Sequence, residues 1–208
     1  ARPLLEDPRG ADHLAWCLAD LAVLCFQRDD IAGGTALSRS AMARFESQGN
    51  RTGAGLCANL LGEALRKNGQ QTAAAAIYAE AEQALGSVGA HARVYPLVNL
   101  GLMAVEAGAL DNAKRAFTEA EEVCDRHGDR LVGGYVQVAL AHCAVIQGAF
   151  GDGRHHLDAA TPMLEQTGFV EPDLERMLRE VLETPGLPPA VAELARPLWQ
   201  VQARRPGP

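Results

Sequence analysis

The sequence predicts an all-α fold, a right-handed solenoid of four helix hairpins followed by C-terminal capping helices. Three observations carry that prediction. Alanine and leucine dominate the 208 residues while aromatic residues make up only 5%, a balance that favours helix over strand. Four segments align with one another at a step of about 40 residues, as repeat architectures require. Three of the four segments are punctuated by glycine twice, at the two places where a helix hairpin must turn, and the first has Asp29 at its first turn and glycine at its second.

The repeat is legible column by column. Leu21-Ala22, Leu61-Gly62, Leu100-Gly101 and Leu140-Ala141 recur at steps of 40, 39 and 40. Eight residues after each leucine stand Asp29, Gly69, Gly108 and Gly148. A small residue follows (Gly34, Ala74, Ala113, Gly153), then an alanine (Ala41, Ala81, Ala120, Ala160), and Gly49, Gly89, Gly128 and Gly168 close the units. A small neighbour beside the leucine lets two helices approach closely. The glycine eight residues on takes the left-handed conformation that ends the first helix. Four residues after the small position, Tyr78, Phe117 and Leu157 fill the space between helices, and Ser38 is the weak member of that column.

The elements follow in order. Helix pairs are expected near 12–28 and 31–47, 52–68 and 71–86, 92–107 and 110–127, 131–147 and 150–167. Units of about 12–49, 50–89, 90–128 and 129–168 fill residues 1–170. Pro96 falls in the first turn of its helix, where a missing N–H is harmless. Pro162 falls inside the last hairpin and removes a backbone bond there. Residues 171–208 are expected to cap the array. One helix runs from Pro172 to about Glu183 with Leu174, Met177, Leu178, Val181 and Leu182 on one face; Pro185-Gly186 breaks it. A second runs from about Pro189 to Gln202 with Val191, Leu194, Leu198 and Val201, and Pro206-Gly207-Pro208 frays.

These columns resemble the tetratricopeptide repeat (TPR), with its pattern W-x2-L-G-x2-Y, A-x3-F and A. The second unit reads Ala58-x2-Leu61-Gly62-x2-Leu65, Ala74-x3-Tyr78, Ala81, and the third Leu97-x2-Leu100-Gly101-x2-Ala104, Ala113-x3-Phe117, Ala120. The first and fourth match more loosely, and the period is longer than the usual length of about 34. The joints Gly49-Asn50-Arg51 and Gly128-Asp129-Arg130 are similar to a bacterial version found C-terminal in STAND-type ATPase regulators and large serine/threonine kinases. The resemblance covers roughly residues 12–170 and implies a protein-interaction scaffold or regulatory module of a larger bacterial signalling protein. A kinase or ATPase portion would then lie N-terminal to Ala1 and could touch the array. The alternative is a ligand-sensing regulatory domain for a small molecule or signal peptide.

Composition excludes other classes. A net charge of −7 lacks the basic face that nucleic acid requires, and Arg204-Arg205 is too short to supply one. No run reaches the length of a membrane span. The chain starts at Ala1 without a methionine, so a fragment or processed chain is expected. Cys17, Cys25, Cys57, Cys124 and Cys143 are odd in number and widely spaced, which reads as buried free thiols in the cytoplasm. Phosphate loops and nucleophile elbows are absent, and neither an enzyme nor a cofactor is expected. His155-His156 with Asp152 and Asp158 is a weak metal candidate, because neighbouring helical side chains diverge by about 100°. His142-Cys143 diverges likewise, which favours a core cysteine and a groove-facing histidine. Glu119, Glu121, Glu122 and Asp125 read as a solvated face.

By the same resemblance the first helices of the hairpins line a concave groove. Its positions are Trp16, Ala19, Val23 and Phe26 in the first unit and Leu56, Asn59, Glu63 and Arg66 in the second. The third supplies Tyr95, Val98, Leu102 and Val105, and the fourth Tyr135, Val138, His142 and Val145. Trp16, Tyr95 and Tyr135 share one column, which suits a helix or extended peptide held by aromatic anchors. A competing possibility is that the capping helices fold back and fill the groove. A carboxylate clamp is not expected, because Ala19 and Val23 stand where it needs polar residues.

Overall fold

The computed structural model describes residues 8–164 and 171–203; Gly168 and the 204–208 tail lie outside them. Ten α-helices are described: α1 (Pro8–Gln27), α2 (Ile31–Ser47), α3 (Arg51–Lys67), α4 (Gln71–Gly86), α5 (Val94–Glu106), α6 (Leu110–His127), α7 (Arg130–Ile146), α8 (Phe150–Leu164), α9 (Pro172–Glu183) and α10 (Pro189–Ala203). No strand occurs among the described residues. One 3₁₀ turn, His91–Arg93, leads into α5, so Pro96 is the third residue of its helix. Pro162 lies inside α8. The chain forms two compact units that divide after Met103.

The turn columns have the backbone that the sequence predicts. Gly49, Gly69, Gly89, Gly108, Gly128 and Gly148 all have φ between +63° and +76°. Asp29 occupies the same left-handed position at φ +60° and is the one non-glycine residue there among those described. The helix starts are fixed by side chains: Asp30, Asn50 and Asp129 accept hydrogen bonds from Gly33, Gly53 and Val132 N–H at 2.8, 2.9 and 3.0 Å. Those bonds satisfy donors that a helix leaves orphaned in its first turn.

In the first unit α1 packs on α2, α2 on α3 and α3 on α4. Ala58, Leu61, Leu65, Ala74, Ile77, Tyr78 and Ala81 form one core cluster, with Phe26, Met42, Leu100 and Met103 against it. Ala15, Ala19, Ala41, Phe45, Ala54 and Cys57 form another. Gly62 permits the close approach of α3 to α4, since a Cβ there would stand 2.6 Å from Tyr78 Cε1. Ser38 is wholly buried and its hydroxyl has no hydrogen-bond partner among the described residues.

In the second unit α6 packs on α7 and α7 on α8. The C-terminal helices do two things there: α10 lies against α8, and α9 lies against α7. Glu171 caps α9, accepting from Asp173 and Leu174 N–H at 2.7 and 3.2 Å, and Pro172 opens the helix. Leu174, Met177, Leu178 and Val181 are buried, whereas Leu182 is half-buried. On α10 the buried residues are Val191, Ala195, Leu198 and Gln202, so Ala195 and Gln202 replace Leu194 and Val201 in the packed face. Gln202 Oε1 accepts from Glu171 N–H at 3.0 Å, which ties the end of α10 to the start of α9.

Two departures concern α1. Leu21, the first leucine of the repeat, is 49% exposed although Leu61 and Leu140 are buried. Of the cysteines expected to be buried, Cys17 is exposed and Cys25 half-buried, while Cys57, Cys124 and Cys143 are buried. The reason is common to both: in α3 and α7 these columns face α2 and α6, the second helix of the preceding hairpin. Burial raises the Cys57 and Cys143 thiols to about 11 and Cys124 to about 12, where Asp129, Asp125 and Glu121 add to the effect. Alkylation of the native chain at pH 8 is therefore expected to modify Cys17 rapidly and those three only on unfolding, as peptide mass spectrometry would show. Gly62→Ala should lower stability by about 1–3 kcal/mol, because overpacking against Tyr78 outweighs the gain in helix propensity. Asp29→Gly should raise it by about 1 kcal/mol through relief of the left-handed backbone; urea melts measure both.

Candidate functional site

The first-helix face of the first unit is built from α1, α3 and α5. Helix α1 contacts α3 directly, and a polar chain joins α5 to α3. Asn99 Nδ2 donates to Asn59 Oδ1 at 3.1 Å, and Asn59 Nδ2 donates to Glu63 Oε1 at 2.9 Å. Both asparagines are nearly buried, so their amides are satisfied within this chain, as buried polar groups require. Position 99 was not among the predicted groove residues; only its pairing with Asn59, 40 residues earlier, brings it into the face.

Trp16 and Tyr95 are each 41% exposed. The Trp16 ring meets Phe45 edge-on at 4.8 Å between centroids, and Tyr95 meets His91 at 6.5 Å. Each is therefore held at one edge and open at the other. Val23, Phe26, Glu63, Arg66 and Val98 are half-buried. Ala19 and Leu102 are buried, and Ala19 belongs to the core cluster around Phe45. Phe26 is shared between core and surface: its ring covers Gly34, where a Cβ would stand 2.3 Å from Phe26 Cε1.

A cavity of about 440 Å³ opens on this face. Val23, Phe26 and Glu63, three of the predicted residues, line it together with Ile31, Leu60, Ala64, Gln27, Asp29, Lys67 and Asn68. Most of the latter sit at the ends of α1 and α3, where repeat columns carry no signal. The wall is apolar; Asp29 and Glu63 bring carboxylates and Lys67 an ammonium.

The corresponding face of the second unit is occupied. Tyr135 is 7% exposed, and Val138 and His142 are wholly buried, because α9 lies on α7. His142 therefore does not face an open groove. Its Nε2 hydrogen-bonds Glu180 Oε2 at 2.6 Å. Glu180 Oε1 accepts from Arg176, which also reaches Asp173. Burial lowers the His142 pKa, against an upward pull from Glu180, so the neutral ring donates from Nε2 and leaves Nδ1 unprotonated and without a partner.

On the other side of α7, Gln137 bridges two helices. Its Nε2 donates to Glu121 on α6, and its Oε1 accepts from His156 Nδ1 on α8 at 2.7 Å. Glu121 is thus part of the packing between helices and not only of a solvated face. The His155 and His156 rings lie 5.7 Å apart and inclined by 60°. Among the described residues no group of three or more His, Cys, Asp or Glu is placed to hold a metal ion, and no helix is long and apolar enough to cross a membrane.

Solved structures share this architecture. BtubC (BKLC) from P. vanneervenii superposes with a TM-score of 0.76 at 17% identity, over 100% of this chain and 88% of that one. The apo form of RapI gives 0.77 at 12% identity over 97% of this chain, which spans only 55% of RapI. A putative kinesin light chain of Podosopora anserina with nearly identical TPR-like repeats gives 0.66 at 14% identity, covering 96% and 98% of the two chains. No family model matches the sequence, and no curated protein matches it.

The buried histidines make the second unit sensitive to acid. His142 and His156 both have pKa values lowered from 6.5, in each case chiefly by burial. A base whose folded pKa lies below its unfolded value stabilises the fold fully above the unfolded pKa and loses that contribution as pH falls through the folded one. The melting temperature is expected to drop as pH is lowered below about 6.5. His142→Gln, whose amide still donates to Glu180, should flatten part of that slope, with the remainder carried by His156; calorimetry from pH 8 to 5 checks it.

Proposed function

We propose that this chain, a TPR-type repeat domain by fold, is a protein-interaction scaffold that takes a partner helix or extended peptide on the first-helix face of its first unit. One observation carries the reading. Trp16 and Tyr95 stay open there, and Val23, Phe26 and Glu63 line a cavity. On α7, by contrast, the matching column at His142 is filled by an amphipathic helix of the chain itself. Helix α9 thus supplies an example of what such a face accepts: four apolar residues inward and one carboxylate on a buried polar group. Aromatic anchors around a concave apolar floor are what helix-in-groove recognition uses.

The Asn99–Asn59–Glu63 chain adds fixed polarity, and Arg66 stands one turn beyond Glu63. A partner is expected to combine apolar anchors for Phe26 and Val23 with polar groups that match Glu63 and Arg66. The wider setting, as implied by the resemblance, is the C-terminal part of a bacterial cytoplasmic signalling protein, a kinase or a STAND ATPase, whose effector portion the array could also touch. Neither a catalytic role nor binding to nucleic acid or membrane is proposed.

A second reading has its own support. The cavity beside Phe26 falls within the size range of small-molecule sites, with opposite charges at its rim, and a ligand there would make the domain a sensor. Thermal stabilisation by a metabolite, lost in Phe26→Ala, would favour that reading.

The test is photo-crosslinking in cells from position 95, with Val88 as an exposed control on the loop after α4. The expected result is a defined protein adduct from position 95 that is absent from 88 and reduced at least tenfold by Glu63→Lys. Adducts only within the chain itself would sink the scaffold reading. Tyr135 is not an anchor that can be deleted to test binding: it is buried, and Tyr135→Ala should destabilise the second unit by about 3 kcal/mol, as core aromatics do.

A further inference from the structure

The outward face of α1 is apolar and, among the described residues, uncovered. Leu21 and Leu24 are 49% and 47% exposed, Cys17 is exposed, and Leu14, Leu18 and Cys25 are half-buried. These six recur at three- and four-residue spacing, so they lie along one stripe of the helix. Their counterparts 40 residues on, in α3, are Ala54, Cys57, Ala58, Leu61, Ala64 and Leu65, none more than 6% exposed. In α7 the same columns hold Gly133, Val136, Gln137, Leu140, Cys143 and Ala144, all buried, while in α5 Leu100, Met103 and Ala104 are half-buried.

What covers those columns is visible. Ala54 and Cys57 share a core cluster with Ala41 and Phe45 of α2, the second helix of the preceding hairpin, and Met42 of α2 packs on the cluster that contains Ala58, Leu61 and Leu65. In the second unit a Cβ at Gly133, the counterpart of Leu14, would meet Cys124 of α6 at 3.6 Å. The covering element is therefore the same each time: a helix that presents a small residue and, four later, a larger one.

We infer that the α1 face is a joint and not an end, and that it docks the second helix of a further hairpin of this repeat, supplied by polypeptide that precedes α1. The occupant carries the pattern of α2, an alanine followed four residues later by an aromatic or leucine, with the larger side chain over the line from Leu14 to Cys17. The chain's own final second helix cannot play this part for another copy, because α8 is already covered by α10. A large apolar face without a cap is unusual at the end of a repeat array, where a polar outer face or a capping helix normally supplies solubility. Among the described residues, α9 and α10 form such a cap and none lies over α1.

The experiment inserts a copy of residues 11–50 in frame ahead of Ala11, with Cys17→Ser and Cys25→Ser in the copy. The alkylation rate of the original Cys17 is then compared in the extended and unextended chains. The expected result is at least a tenfold fall in the extended chain, to the rate of Cys57, together with a higher Tm. An unchanged Cys17 rate in a folded extended chain overturns the inference. Two measurements on the unextended chain guard it should the extended one misfold. Leu21→Ser with Leu24→Ser should leave its Tm within about a degree; a loss of the size that buried leucines give means the chain already covers this face and overturns the inference. Sedimentation velocity should show a monomer; self-association that protects Cys17 and disappears in Leu24→Glu assigns the face to a second copy and likewise overturns it.

Discussion

The fold rests on how close the two helices of a hairpin can come. A large side chain on one helix requires a missing one on the other, and the molecule meets that requirement in two directions. In the second hairpin Tyr78 reaches across from α4 to Gly62 of α3; in the first, Phe26 reaches from α1 to Gly34 of α2. The repeat columns carry the same bargain: glycine follows the leucine where the second helix brings Tyr78 or Phe117, and alanine follows it where the second helix brings Ser38 or Leu157. Protein interiors are packed too densely to absorb a mismatch of a whole ring. The spacing of each pair thus sets which of its side chains are left to face outward.

Once the helices are close, the chain must reverse within three residues, and the left-handed residue at each turn does this. The first turn places Asp29 where the others have glycine and bears the steric penalty that glycine avoids. The neighbouring Asp30 caps α2, and Asp29 also lines the cavity at the end of α1. A backbone position that could be relaxed by glycine instead carries a carboxylate beside the face proposed to bind. Strained positions are retained where the side chain has a use, which fits the scaffold and the sensor readings equally.

The hairpins were legible in the sequence because each is specified locally: the glycines act through backbone geometry, the alanines through lack of volume, and Asn50 and Asp129 through caps that bind within three residues. What was illegible depends on neighbours far along the chain. Nothing local distinguishes Leu21 from Leu61; one is exposed and the other buried because only the second has a preceding hairpin over it. Trp16, Tyr95 and Tyr135 share a column, yet α9 covers α7 and with it Tyr135. Repeat position predicts which way a side chain points and not what lies there. The asparagine chain from residue 99 to Glu63 was half visible, since Asn59 stood at a groove position and Asn99 one place off it.

The two C-terminal helices show why a strongly amphipathic cap is ambiguous from sequence. Leu174, Met177, Leu178 and Val181 form a stripe that could cover the last second helix or the last first helix with equal apolar gain. Polar chemistry breaks the tie. Covering α7 takes His142 out of water, and a buried polar group without a partner costs about 1–3 kcal/mol, so the helix that lies there has to bring one. Glu180 meets Nε2, while Arg176 and Asp173 hold the carboxylate in place. On α3 the residue in the His142 column is Glu63, half-buried and already an acceptor from Asn59. An acidic helix such as α9 would set carboxylate against carboxylate there. The helix that fits α7 is therefore the wrong helix for α3, and a partner of the kind proposed for the first unit would have to bring donors where α9 brings an acceptor.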